Sequence, residues 1–183
     1  MAATDLSRFN NDWYDPGRPA IVRALWFLAN AGLMKSSLPG SRWRSSLLRL
    51  FGAKMGKGVV IKPCVNIKYP WNLTVGAHTW IGENVWIDNL GEVVIGSNCC
   101  LSQGAFLLCG NHDYKKETFD LMVQPVTLAN GVWIGAKSVV CPGVQCGEHS
   151  VLSAGSVATK NMEPMKIYAG NPAVFVRERV LGS

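Results

Sequence analysis

The chain is short of charge, of histidine and of paired cysteine motifs, and each shortage closes off a class of protein. Charged residues make up 16% of its 183 residues and hydrophobic ones 48%, which excludes a disordered or fibrous chain. The three histidines, His78, His112 and His149, form no H-x-x-x-H or comparable pair, so no metal is expected. Cys64, Cys99, Cys100, Cys109, Cys141 and Cys146 include no C-x-x-C pair, which favours reduced packing cysteines over a disulfide framework. P-loop and dinucleotide fingerprints are missing, as is any low-complexity tract. The N-terminus lacks the basic and small-residue pattern of a signal peptide, so the expectation is a cytoplasmic protein.

What the chain does have is a period. From Met55 to Ala158 one aliphatic position, once a cysteine, opens each unit of six: Met55, Ile61, Ile67; Val75, Ile81, Ile87; Ile95, Leu101, Leu107; Leu128, Ile134, Val140; Cys146, Leu152, Ala158. A helix wants spacings of three and four and a lone strand wants two, whereas six suits a short strand ending in a turn. The step lengthens to eight after Ile67 and after Ile87 and to twenty-one after Leu107, so three units make one triangular coil with its insertions at one corner. Met55, Val75 and Ile95 should therefore stack at the inter-strand spacing of roughly 4.8 Å. The expected architecture is an all-β solenoid over residues 55–163. An N-terminal arm and helical segment (1–54) precede it, a loop (108–127) projects from it, and a C-terminal tail (164–183) follows Pro164.

Two helices are expected before the repeats. The first, over residues 20–34, has Arg23 inside its apolar run and falls short of the roughly 20 residues needed to cross a membrane. The second follows Pro39-Gly40 and mixes arginines with Trp43, Leu47, Leu48 and Phe51. Residues 20–51 have two readings, a cap on the open end of the solenoid or a segment resting on an anionic membrane surface. The net charge of +6 favours anionic partners, but the basic residues form no nucleic-acid reading module.

Chemistry is expected at the insertion corner. His112 lies five residues past Leu107, and histidine is the side chain that most readily exchanges a proton near neutral pH. A register shift of twenty sets Asp88 beside Leu108, so Asp88 or the adjacent Asp113 is expected to orient the imidazole or bind a substrate hydroxyl; a turn-capping aspartate is the plainer reading of either. Cys109 and Ser102 are weak nucleophile candidates. Trp80, Trp86 and Trp133 close their repeat units and should point outward, towards a groove or another subunit.

The hexapeptide run, the loop Gly110-Asn111-His112-Asp113-Tyr114, the segment Gly131-Val132-Trp133-Ile134-Gly135-Ala136 and the ending Ala169-Gly170-Asn171-Pro172-Ala173 together resemble the hexapeptide-repeat O-acetyltransferases. Residues 50–58 and Tyr69-Pro70-Trp71 narrow the resemblance to the colanic-acid-biosynthesis (WcaF-like) branch. The family implies a left-handed parallel β-helix, a homotrimer with active sites between subunits, and acetyl-CoA as acyl donor. It makes His112 the general base and Ala136 the oxyanion donor. Trp133, Gly135, Ala136, Ser153, Ala154, Thr159, Lys160 and Arg177 become the coenzyme contacts, the last two for its phosphates. Asp88, Asn111 and Tyr114 are the expected acceptor contacts. Val174 departs from the pattern, since related sugar acetyltransferases often carry a basic residue near it. The implied acceptor is a carbohydrate, lipid-linked where the enzyme works peripherally at the inner face of the membrane. A γ-carbonic-anhydrase-like metalloenzyme and a non-catalytic assembly platform share the fold and are the alternatives.

Overall fold

The computed structural model describes residues 3–182 and shows a left-handed parallel β-solenoid of about six turns. Its three faces are parallel sheets. The first holds Lys54–Met55, Leu73–Val75, Val93–Ile95, Val126–Leu128 and Gln145–Cys146. The second holds Val60–Ile61, Trp80–Ile81, Cys100–Leu101, Trp133–Ile134, Val151–Leu152 and Lys166–Gly170. The third holds Asn66–Ile67, Trp86–Asp88, Phe106–Leu108, Val139–Val140 and Val157–Ala158. The pairing is the one the period requires: Met55 opposes Val75, Val75 opposes Ile95, Ile95 opposes Leu128, and Leu128 opposes Cys146.

Stacked openers form the core. Every opener from Ile61 to Ala158 is at most 2% exposed, and the smaller residues four positions on, such as Val65, Thr79, Val85, Ala105 and Ser156, are buried beside them. Met55 is only half-buried, because it lies at an edge with no coil beneath it. The exposure of Trp80, Trp86 and Trp133 (60%, 43% and 46%) follows from their place one residue before an opener, where a strand side chain points outward.

Residues 20–51 cover that edge. Helix α1 (Ala20–Ala29) runs into a widened π turn (Asn30–Met34), and α2 (Arg42–Leu50) follows. Trp26, Met34 and Leu48 are sealed into the core, and the Trp26 indole donates to the Ile67 carbonyl at 3.0 Å. The π turn lets the Asn30 amide donate to Asn66 Oδ1 at 2.7 Å. Fully buried Arg44 donates to the carbonyls of Gly40 and Leu38, both at 2.6 Å, and of Ser36 at 3.1 Å, which ties the connection between the helices across the solenoid end. At the other end the chain continues past Pro164: Tyr168 stacks on Leu152, and Ala173–Glu178 turns back antiparallel to close the second sheet. Among the described residues no helix is long and apolar enough to cross a membrane.

Candidate active site

The insertion expected as a loop contains a β-hairpin. Gly110–His112 pairs antiparallel with Leu121–Val123, placing His112 opposite Leu121 on a ribbon raised from the corner between the third and first sheets. The His112 ring is fixed on three sides. It stacks on Phe119 (centroids 4.4 Å apart, planes at 6°), meets Phe9 at 5.7 Å, and sets Nδ1 2.9 Å from the Phe119 carbonyl oxygen. A carbonyl only accepts, so Nδ1 carries a proton, and the tautomer this contact selects has its lone pair on Nε2. The group that orients the ring is thus a backbone carbonyl. The Asp113 carboxylate accepts from the Lys115 amide at 3.1 Å, capping a turn, and the Asp88 carboxylate stands 3.1 Å from Lys68 Nζ. Asp88 and Lys68 form an ion pair without hydrogen-bond geometry, since Asp88 Oδ1 is buried with no hydrogen-bond partner.

His112, Asp88 and Lys68 line one cavity of about 780 Å³. Register explains Asp88, which opposes Leu108 as the step of twenty requires. Asn89 supports the corner from below by accepting from the Tyr69 amide at 2.9 Å and donating to the Tyr69 carbonyl. Asn111 and Tyr114 are exposed; the Asn111 side chain accepts from the His112 amide at 2.8 Å, and Tyr114 is 75% exposed. Neither lines the cavity.

The cavity's outer wall is the N-terminal arm, which the sequence did not mark as functional. Phe9, Asn11, Asp12, Tyr14 and Pro16 all face the cavity. The arm is clamped to the hairpin by the Asp5 amide on the Glu117 carbonyl (2.9 Å) and the Arg8–Glu117 ion pair (3.1 Å). It is clamped to the solenoid by the Tyr14 hydroxyl donating to the Leu90 carbonyl (2.7 Å) and the Trp71 indole donating to the Pro16 carbonyl (2.6 Å). The one available signal was the density of Trp13-Tyr14 and Phe9 in a polar stretch.

Cys109 is buried beside the site, and burial, with a smaller push from Asp88, raises its thiol to about 11. It is protonated at neutral pH and a poor nucleophile. The Ser102 hydroxyl accepts from the Trp133 indole at 2.9 Å on the second face, away from His112. His78 and His149 take left-handed turn positions (φ 57° and 55°) at the corner between the first and second sheets.

A second cavity, of about 460 Å³, lies on the second face and its turn into the third. Trp133, Gly135, Ala136, Ser153, Ala154 and Arg177 line it; Thr159 and Lys160 stand outside, past the last strand of the third sheet. Small residues make this groove, and at Gly135 nothing larger fits, because a Cβ there would stand 2.5 Å from the Ala154 nitrogen. The amides of Gly135 and Lys137 bond to Leu152 O (2.7 Å) and Gln103 O (2.9 Å). The Ala136 amide between them has no partner among the described residues, so it remains free to donate.

In one chain these cavities do not meet, since the full width of the third face separates their corners.

No family model matches the chain. It is similar to the putative colanic acid biosynthesis acetyltransferase WcaF of Escherichia coli (strain K12), at 40% identity over 177 residues covering 96% of this chain and 97% of the relative. A solved galactoside acetyltransferase in complex with coenzyme A superposes with a TM-score of 0.73 at 29% identity, covering 86% of this chain and 78% of that one. A hexapeptide-repeat-containing acetyltransferase from Vibrio cholerae (TM-score 0.78, 23% identity, 86% and 90% coverage) shares the fold.

Proposed function

The chain belongs to the hexapeptide-repeat acetyltransferases, in the colanic acid biosynthesis (WcaF-like) branch, and from that membership we propose that it transfers an acetyl group from acetyl-CoA to a sugar hydroxyl in surface-polysaccharide assembly. The observation that carries the mechanism is the Nδ1–H of His112 on the Phe119 carbonyl, which selects the tautomer whose Nε2 can take a proton from an acceptor in the cavity His112 lines. The acceptor hydroxyl gives its proton to Nε2 as its oxygen attacks the thioester carbonyl. The free Ala136 amide steadies the developing oxyanion. The C–O bond forms, the C–S bond breaks, and the imidazolium returns the proton to the departing thiolate. Asp88 lies in the same cavity, where its carboxylate can accept from a second sugar hydroxyl and help hold the first at Nε2.

The donor groove fits a pantetheine arm: it is narrow, lined by small residues, and flanked by Trp133 and Arg177. Because donor and acceptor cavities sit at different corners of one chain, we place each working site between two copies in a homotrimer, with the hairpin of one reaching the groove of the next.

Contact with an anionic membrane is supported by α1. Ile21, Leu25, Phe27 and Leu28 are 54–70% exposed, and between Asp15 and Glu83 the chain carries ten Lys and Arg residues and no acid. The cap and the membrane contact are thus two sides of one segment.

The test of the mechanism is acetyl-CoA turnover on a panel of sugars, nucleotide sugars and lipid-linked saccharides, wild type against His112→Ala. A loss of about 10²- to 10⁴-fold on an active acceptor is expected. Equal rates would remove His112 as the base.

A further inference from the structure

A smaller cavity, of about 420 Å³, adjoins the acceptor cavity, and Arg23, Lys68, Tyr69 and Asp88 line both. Arg23 comes from α1 and Lys68 from the first insertion, so neither belongs to the donor groove. The Arg23 Nε is buried with no hydrogen-bond partner, and among the described residues the side chain makes no ion pair. Lys35 joins Arg23 and Lys68 in the smaller cavity, where Asp88 is the one acid, and Asp88 already faces Lys68. Among the described residues Arg23 and Lys35 are thus left without an ion-pair partner, Arg23 with a buried N–H unsatisfied, while Asp12, the acid across the larger cavity, accepts from the Asn10 side-chain amide. A buried polar group is ordinarily bonded, and a neutral sugar would supply no charge to match the pair.

We propose that the acceptor carries a phosphate or diphosphate ester held by Arg23 and Lys35 beside the Lys68–Asp88 pair, so that the attached sugar reaches His112 through the larger cavity. The proposal rests on the His112 cavity being the acceptor site. A guanidinium with an unused fork suits a tetrahedral oxyanion, which accepts two parallel N–H donors. Two compounds offer this chemistry, a nucleotide diphosphate sugar and a sugar diphosphate on a polyprenyl chain. Phe27 and Ala31 line the same cavity on the side of α1's exposed apolar residues, so the group that stays attached to the phosphate, nucleoside or lipid, extends past α1.

Inorganic pyrophosphate titrated calorimetrically into the full chain, with coenzyme A saturating, tests the anion site directly. One site per chain is expected, weakened about tenfold or more in Arg23→Gln and unchanged in Lys57→Gln, an exposed lysine of the first coil. Absence of binding, or equal affinity in wild type and Arg23→Gln, overturns the proposal. Lys35→Ala, at an exposed position whose side chain makes no hydrogen bond or ion pair among the described residues, should weaken binding in the same direction. Kinetics then compare one hexose as methyl glycoside, nucleotide diphosphate and farnesyl diphosphate. A preference for either diphosphate that disappears in Arg23→Gln, with the KM for acetyl-CoA unchanged, supports the proposal, and the better substrate names the source. A methyl glycoside turned over as efficiently as both diphosphates overturns it. Failure of His112→Ala to lose activity would instead strike the underlying acceptor-site reading, so the two failures are separable.

Discussion

The separation of the two cavities makes a numerical prediction. Let one variant lose the base, His112→Ala, and a second lose the donor groove, Ala154→Trp, which fills the cavity from an exposed position and leaves the stacked core intact. Each alone should be inactive. If the hairpin of one subunit serves the groove of the next, a working site needs a subunit with His112 followed by a subunit with Ala154. A closed three-membered ring containing both variants, in either 2:1 proportion, has one such junction among three, so doubly tagged mixed oligomers should recover about one third of wild-type activity. A dimer would give about one half. Co-expression with two affinity tags, tandem purification and thiol-release assay measure the fraction, and mass photometry gives the ring size. Activity near zero in purified mixed oligomers would refute the reasoning, because it would mean that base and groove must come from one chain.

Two further outcomes follow from other parts of the molecule. Binding to vesicles with a third anionic lipid should exceed binding to neutral vesicles, fall with salt, and drop in the double variant Phe27→Ser, Leu28→Ser, whose positions are exposed; equal sedimentation with both vesicle types would remove the membrane contact. Burial raises the thiols of Cys109 and Cys146 to about 11 and about 12. The folded state therefore keeps protons that unfolded thiols release near pH 9, so stability is full below that value and declines as pH rises towards 11. Raising the Cys109 thiol to about 11 corresponds to about 2–3 kcal/mol, and Cys109→Ala should flatten the fall in unfolding midpoint over that window. Parallel curves for variant and wild type would contradict the assigned cause.

The solenoid was legible because every repeat position is a statement about a neighbour. Once Met55, Val75 and Ile95 are read as one stack, the faces of Asp88, Trp133 and Ala136 follow without further information, and Asp88 does oppose Leu108. The hairpin was not legible. Its strands, Gly110–His112 and Leu121–Val123, are three residues each and are joined by no Asn-Gly or Asp-Gly turn, so nothing local announces the pairing. The partner of His112 was equally hidden: the sequence offers Asp88 and Asp113 as side chains to choose between, but the Phe119 carbonyl does the orienting, and a backbone group leaves no trace in residue identity. Arg23 and Lys68 share a cavity through the docking of α1, which lies outside the repeat and has no register with it.

This division has a physical origin. A residue within a coil must stack on the coils above and below, so its identity is constrained by packing, and a groove built from such residues, like Gly135, Ala136 and Ser153, has a shape the fold itself dictates. At the insertion corner the stacking is interrupted, and the side chains there come from an arm, a helix and a hairpin that are free to differ in length and composition. A donor used in common can be held by the repeat, whereas an acceptor that distinguishes one enzyme from another has to be recognised where the repeat is broken. Phe9, Tyr14, Arg23, Lys68 and His112 all lie at that break, so the acceptor should be sought by exchanging the arm and α1 between relatives rather than by altering the coils.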